Sequence, residues 1–213
     1  MSKQKEQQRK LTKAEQRRQQ QLEQLEIKLY AQGYQKHDLT IGLVFANVMA
    51  IVLGTPIVIV LYAAFFMRNP SFYMEENIGG GALQILLVLI VLIVVHELIH
   101  GITWAVFASN HWKSIEFGFI MKYLTPYCTC VEPLKRYQHI IGALMPTLVL
   151  GIFPSVIAIF TGSMFWLLVG CVMVLAGGGD LTIVLKLLWY RSEGKDVVYI
   201  DHPYQAGVIA FER

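Results

Sequence analysis

Ten residues constrain this chain more than any others. Leu92-Ile93-Val94-Val95-His96-Glu97-Leu98-Ile99-His100-Gly101 sets two histidines and a glutamate inside an otherwise apolar run. Hydrocarbon solvates ionisable side chains poorly, so groups placed there usually have a partner and a task. The spacing indicates the task. On a helix, His96 and His100 stand four apart on one face and can grip one metal ion. Glu97 sits about 100° round from His96, placed to act on a metal-bound water rather than on the metal.

The run lies in a chain built for a bilayer. Of 213 residues, 55% are hydrophobic, too many for a soluble domain of this size. The expectation is an all-α integral membrane protein, because helices satisfy their own backbone groups in lipid. Four spans are expected, at about 41–66, 82–108, 140–162 and 163–190, each long enough for a core of roughly 30 Å. Gly54 and Pro56 are potential kink points in the first, and Pro146 and Pro154 lie inside the third. The organisation read from this is a polar helical segment over 1–39, a membrane domain over 40–190 and a polar tail over 191–213. Leu11 to Gln32 lacks proline and has a weak apolar face, so it reads as a helix, solvated or lying on anionic lipid. No cleavable signal peptide is expected, since the first forty residues or so are polar.

Lys and Arg set the orientation. Nine lie before the first span, only Arg68 in the first loop, four in the connector (Lys113, Lys122, Lys135, Arg136) and none between spans three and four. Both termini and the connector are therefore expected in the cytosol, with the lipid bilayer as the first partner. The net charge of +3 gives no case for nucleic acid. Three cysteines, Cys128, Cys130 and Cys171, suggest no disulfide framework, and a lone Cys-x-Cys is weak as a metal site.

The H-E-x-x-H pattern is that of zinc hydrolases, whose sites usually have three protein ligands and an open position. Candidates for the third ligand are Asp180, His111, Glu132, His139 and Asp201. Depth favours Asp180. It lies roughly 15 Å by helical rise from the cytosolic end of its span, and His100 roughly 12 Å from the end of its own. The other four sit in cytosolic segments. Gly177-Gly178-Gly179 before Asp180 permits close helix approach or a local break. Asp180 as a structural partner of a histidine or of Lys186 is the alternative. In the connector, Ile115, Phe117 and Phe119 alternate imperfectly, suggesting a short β-hairpin with a bend near Met121 and Lys122. Its edge strand could hold an extended substrate by strand addition, or the segment could be a loop packed on the bilayer surface.

Together, H-E-x-x-H in a membrane helix, a hairpin-like connector, the proline-containing Ala143-Leu144-Met145-Pro146 and a late membrane aspartate resemble site-2-protease-type intramembrane metalloproteases. His-Glu-Leu-Ile-His-Gly, Pro126-Tyr-Cys-Thr-Cys-Val-Glu-Pro-Leu134 and Gly178-Gly179-Asp180 are more closely similar to the small bacterial membrane zincin peptidases. The resemblance runs from about Ala82 to Tyr190. It implies Zn²⁺ on His96, His100 and Asp180, with Glu97 as general base, and a bacterial plasma membrane location. Its implied substrate is a membrane or membrane-proximal protein. The site-2 pattern has a glycine after its late aspartate, whereas Leu181 follows Asp180. The rival readings are a non-catalytic metal-binding membrane protein, a membrane scaffold and, more weakly, a transporter.

Overall fold

The computed structural model describes residues 11–70, 78–120, 125–194 and 196–213. Helix α1 (Lys13–Ala31) opens with a capping box, in which Thr12 and Glu15 satisfy each other's backbone N–H groups. Strand β1 (Gln35–Thr40) leads into α2 (Leu43–Arg68). Helix α3 (Ile78–Phe107) carries the H-E-x-x-H run. One 3₁₀ turn (His111–Ser114) precedes β2 (Ile115–Ile120) and β3 (Thr125–Cys130). Helix α4 (Arg136–Pro146) passes through a π-helical stretch (Thr147–Ile152) into α5 (Phe153–Thr161). Then come α6 (Met164–Ala176), α7 (Gly178–Trp189), β4 (Val197–Asp201) and β5 (Gly207–Glu212).

The chain is mostly helical, and three stretches are long and apolar enough to cross a membrane: Val44–Arg68, Ala82–Phe107 and Arg136–Thr161. The fourth expected span is two helices, α6 and α7, bent by 48° at Gly177. Helices α2 and α3 turn Val48, Ile51, Val52, Ile59, Leu87, Ile90, Val91 and Val94 outward with no protein cover. The π-helical stretch sits just before Pro154, which has no N–H for the carbonyl of Leu150 and disturbs the ladder there. Ser155 Oγ donates instead to the carbonyl of Gly151 at 2.7 Å.

The connector forms the two-stranded hairpin β2–β3, antiparallel from Ile115↔Cys130 to Ile120↔Thr125. The bend expected at Met121 and Lys122 lies outside the described residues. A second sheet has no counterpart in the sequence reading. Strands from the two polar ends pair in the order β1-β5-β4, all antiparallel. Central β5 is buried throughout. Its period of two sends Ile209 and Phe211 against Leu22 and Leu29 of α1, and Val208 and Ala210 against Leu187 of α7 and Tyr199. Thus α1 neither stands free in solvent nor lies on lipid through this face; its apolar stripe covers the sheet.

Sheet, α1 and hairpin form one polar cap over one end of the helices. Arg18 is its hub. Nε donates to the Pro203 carbonyl at 3.0 Å and an amino group donates to the Tyr127 hydroxyl at 2.7 Å, and the guanidinium lies over the Tyr127 ring. Lys186 Nζ of α7 donates to the Thr40 carbonyl at 2.7 Å, and Arg136 Nε of α4 to the Tyr199 hydroxyl at 3.0 Å.

Candidate metal centre

Helices α3 and α7 bring the two histidines and the late aspartate together. His96 Nε2 lies 3.1 Å from Asp180 Oδ2, His100 Nε2 lies 3.4 Å from the same oxygen, and the two imidazole nitrogens are 3.2 Å apart. Four ligands at about 2.1 Å round one zinc ion stand about 3.4 Å from each other in a tetrahedron. The observed triangle has nearly those edges. Its donor set, two imidazole nitrogens and a carboxylate oxygen, is one zinc accepts in hydrolytic sites. Among the described residues this is the one group of three or more metal-ligating side chains close enough to hold an ion.

The orientation of His100 is fixed from behind. Its Nδ1 lies 2.9 Å from the carbonyl of Gly142 on α4. A carbonyl only accepts, so Nδ1 carries the proton and a neutral His100 offers its Nε2 lone pair to the cluster. Trp104, one turn further along α3, stacks on His100 with ring centroids 4.9 Å apart and 12° between planes. A Cβ on Gly142 would fall 1.9 Å from Trp104 Nε1, so only glycine allows α4 this close to the indole. His96 is buried as well, at 8% exposure.

Asp180 reaches the cluster because α7 approaches α2 closely. A Cβ on Gly178 would lie 2.2 Å from both Cα and Cβ of Ala50. Asp180 occupies the first turn of α7, where the positive end of the helix dipole favours an anion. The glycine break therefore does two things: it bends the chain and lets α7 seat its first turn beside the histidines.

The other third-ligand candidates are engaged elsewhere. The Glu132 carboxylate accepts from the Ser109 N–H at 2.8 Å, the Ser114 hydroxyl at 2.7 Å and the Asn110 side chain. Burial alone would raise the pKa of Glu132, but these donors hold it below the usual carboxylate range. His111 Nδ1 lies 3.1 Å from the Ala105 carbonyl. His139 and Asp201 pair with each other, Nε2 to Oδ1 at 3.3 Å, with Trp104 between His139 and His100. Cys128, Cys130 and Cys171 are free thiols, and burial pushes Cys130 up to about 12.

Glu97 is half-buried on α3, one residue from His96. His96, Glu97, His100 and Asp180 all line one cavity of about 480 Å³ between the helices and the polar cap. Glu15, Arg18, His202 and the 203–207 turn bound it on the cap side. Its size is that of ligand-binding clefts. The sequence reading missed Trp104, Gly142 and the cap. Trp104 left a signal, since His96, His100 and Trp104 follow one another at intervals of four on one helix face. A main-chain carbonyl such as that of Gly142 leaves none.

Residues 89–193 match a family described as "putative zincin peptidase". That segment takes in the H-E-x-x-H run, hairpin, α4 to α7 and Asp180. No curated protein and no solved structure matches the chain.

Proposed function

We propose that this chain is a membrane-embedded zinc peptidase that hydrolyses peptide bonds in a membrane or membrane-proximal protein. The observation that carries the reading is the near-tetrahedral triangle of His96, His100 and Asp180, with Glu97 beside it on the wall of a substrate-sized cavity. The similarity over residues 89–193 supports the same class. His96, His100 and Asp180 would hold Zn²⁺. Bound zinc supplies a water acidified toward neutrality and a Lewis acid for the scissile carbonyl. The Glu97 carboxylate would serve as general base, taking a proton from the attacking water and returning it to the leaving amine. The Gly142 carbonyl and Trp104 hold the His100 ring while this happens, and the cap limits access of bulk water.

The apolar outer faces of α2 and α3 suit lipid, and Lys and Arg cluster in the segments that build the cap. On this reading the chain is a multi-pass protein of the bacterial plasma membrane, with the cap and both ends of the chain in the cytosol. Its partners are the bilayer and a protein substrate, not nucleic acid.

The test is zinc content per chain of detergent-purified wild type, His96→Ala, Asp180→Ala and Glu97→Gln, alongside cleavage of fluorescein-labelled casein. About one zinc is expected in wild type and Glu97→Gln, much less in the two ligand variants. Cleavage is expected in wild type alone. A wild type that takes up no zinc when supplied with it defeats the reading. Equal cleavage by wild type and Glu97→Gln removes Glu97 from the chemistry. Zinc bound normally but no turnover of any protein would leave a metal-binding membrane protein.

A further inference from the structure

Four side chains in contact run from the candidate metal centre to the cap: His100, Trp104, His139 and Asp201. Trp104 stacks on His100 at 4.9 Å and 12°. His139 of α4 lies against the same indole, with ring centroids 5.3 Å apart and 34° between planes. The indole Nε1–H donates to the His139 carbonyl at 3.4 Å, and Gly142 leaves the ring its room. Residues three apart on a helix share a face, so one face of α4 seats the indole at both 139 and 142. Helix α4 thereby fixes where Trp104 lies against His100.

The His139 ring has one polar anchor. It is 2% exposed. Its Nε2 lies 3.3 Å from Asp201 Oδ1, and its Nδ1 has no polar partner among the described residues. A carboxylate only accepts, so Nε2 carries the proton. Asp201 comes from the end of β4 in the cap, and its other oxygen is taken as well. Oδ2 accepts from the Cys130 N–H at 2.8 Å and from the Thr129 hydroxyl at 3.2 Å. One carboxylate thus joins the cap sheet, the hairpin and α4. Drawing a carboxylate out of water costs solvation that only a full set of partners returns. Fixing the cap to the helices needs no such group, since Arg136 and Lys186 already bridge them through a hydroxyl and a carbonyl. The ring contacts give it a second use.

We propose that Asp201 and His139 are positioning residues for the metal centre: Asp201 fixes the His139 ring, that ring fixes Trp104, and the indole fixes the plane of His100. This role rests on the metal site of the peptidase reading. Neither residue supplies an atom to the ligand triangle. The seating of the cap becomes a condition for tight metal binding, because Asp201 leaves His139 if β4 moves off α4.

The experiment uses the full chain in detergent with Co²⁺ in place of Zn²⁺. Zn²⁺ has a filled d shell and no visible absorption, whereas that of Co²⁺ follows its coordination geometry. Chelator competition gives the Kd for Co²⁺ in wild type, Asp201→Ala, Asp201→Asn, His139→Phe and the double variants. Phenylalanine keeps a ring against Trp104 but has no nitrogen for Asp201. Asp201→Ala is expected to raise Kd about three- to tenfold and to change the visible spectrum, a smaller effect than the roughly 10- to 100-fold of a group bonded directly to a ligand. Asp201→Asn has one acceptor oxygen where the carboxylate has two. It is expected to shift both readouts the same way by less, and it carries the comparison if Asp201→Ala does not fold. Because Asp201 acts through the His139 ring, either Asp201 substitution added to His139→Phe should cost no further affinity. Glu132→Gln, which alters the carboxylate shared by Ser109, Asn110 and Ser114, should match wild type in both readouts. If the Asp201 variants match wild type, if the Asp201 and His139 effects add, or if Glu132→Gln loses as much affinity, the positioning role is overturned and the metal centre stands. A wild type that binds neither Co²⁺ nor Zn²⁺ removes the metal centre and this role with it.

Discussion

Glu97 and Gly142 act on the same helix turn by different means. Glu97 is one residue from His96 yet outside the ligand triangle, so its removal should cost turnover and not metal. Glu97→Gln is expected to lower the cleavage rate at least about a hundredfold at unchanged zinc content, the range for loss of a general base. Gly142 contributes a carbonyl to His100 Nδ1 and, by having no side chain, room for Trp104. Gly142→Ala puts a methyl group into the indole and should cost about 1–3 kcal/mol of stability. It should also weaken zinc binding about 10- to 100-fold, as loss of a group behind a ligand usually does. A melting curve and a chelator competition would check these two effects separately. An unchanged zinc affinity would show that His100 does not depend on α4.

At the scale of elements, the break between α6 and α7 decides where Asp180 sits. Adjacent glycines there make opposite predictions. A Cβ on Gly178 meets the backbone of Ala50, whereas one on Gly179 meets nothing within 4 Å. Gly178→Ala should therefore push α2 from α7, lower Tm and weaken zinc binding. Gly179→Ala should leave Tm unchanged or raise it, since alanine is favoured over glycine in a helix by about 1 kcal/mol. Equal effects of the two substitutions would mean that helix propensity, not close approach, explains the glycine run. The hairpin expected from alternating Ile115, Phe117 and Phe119 is present. The four expected spans are three helices long and apolar enough to cross a membrane and a pair bent at Gly177.

Over the whole molecule, the polar cap closes the cavity that holds the candidate metal centre with segments from both polar ends of the chain. Its stability should depend on pH through His202. Burial pushes His202 down to about 4, where its Nδ1 accepts from the Tyr204 and Gln205 N–H groups. The unfolded chain binds this proton near pH 6.5 and the folded chain only near pH 4. The contribution of neutral His202 is thus complete above about pH 6.5 and is lost as pH falls toward 4. Glu132, held low by its donors, shifts stability in the same direction in acid. Thermal melts of wild type should show falling Tm across that range. His202→Asn should flatten the fall, and a fall of the same size in that variant would assign it to other groups.

The sequence by itself determined what depends on local spacing and solvation. It set the apolar spans, the shared face of His96 and His100, the place of Glu97 next to them, and the hairpin's alternation. Helical rise along two spans was enough to rank Asp180 above the other carboxylates and histidines as a partner for the pair. Tertiary structure alone decided what depends on contacts between distant segments. It paired β1 with β5, so that two stretches read as separate polar tails became one sheet. It also turned the apolar stripe of α1 onto that sheet, put the Gly142 carbonyl behind His100, and laid Asp201 against the Cys130 N–H of β3. Strand pairing and main-chain hydrogen bonds use groups every residue carries, so no residue type announces them in advance.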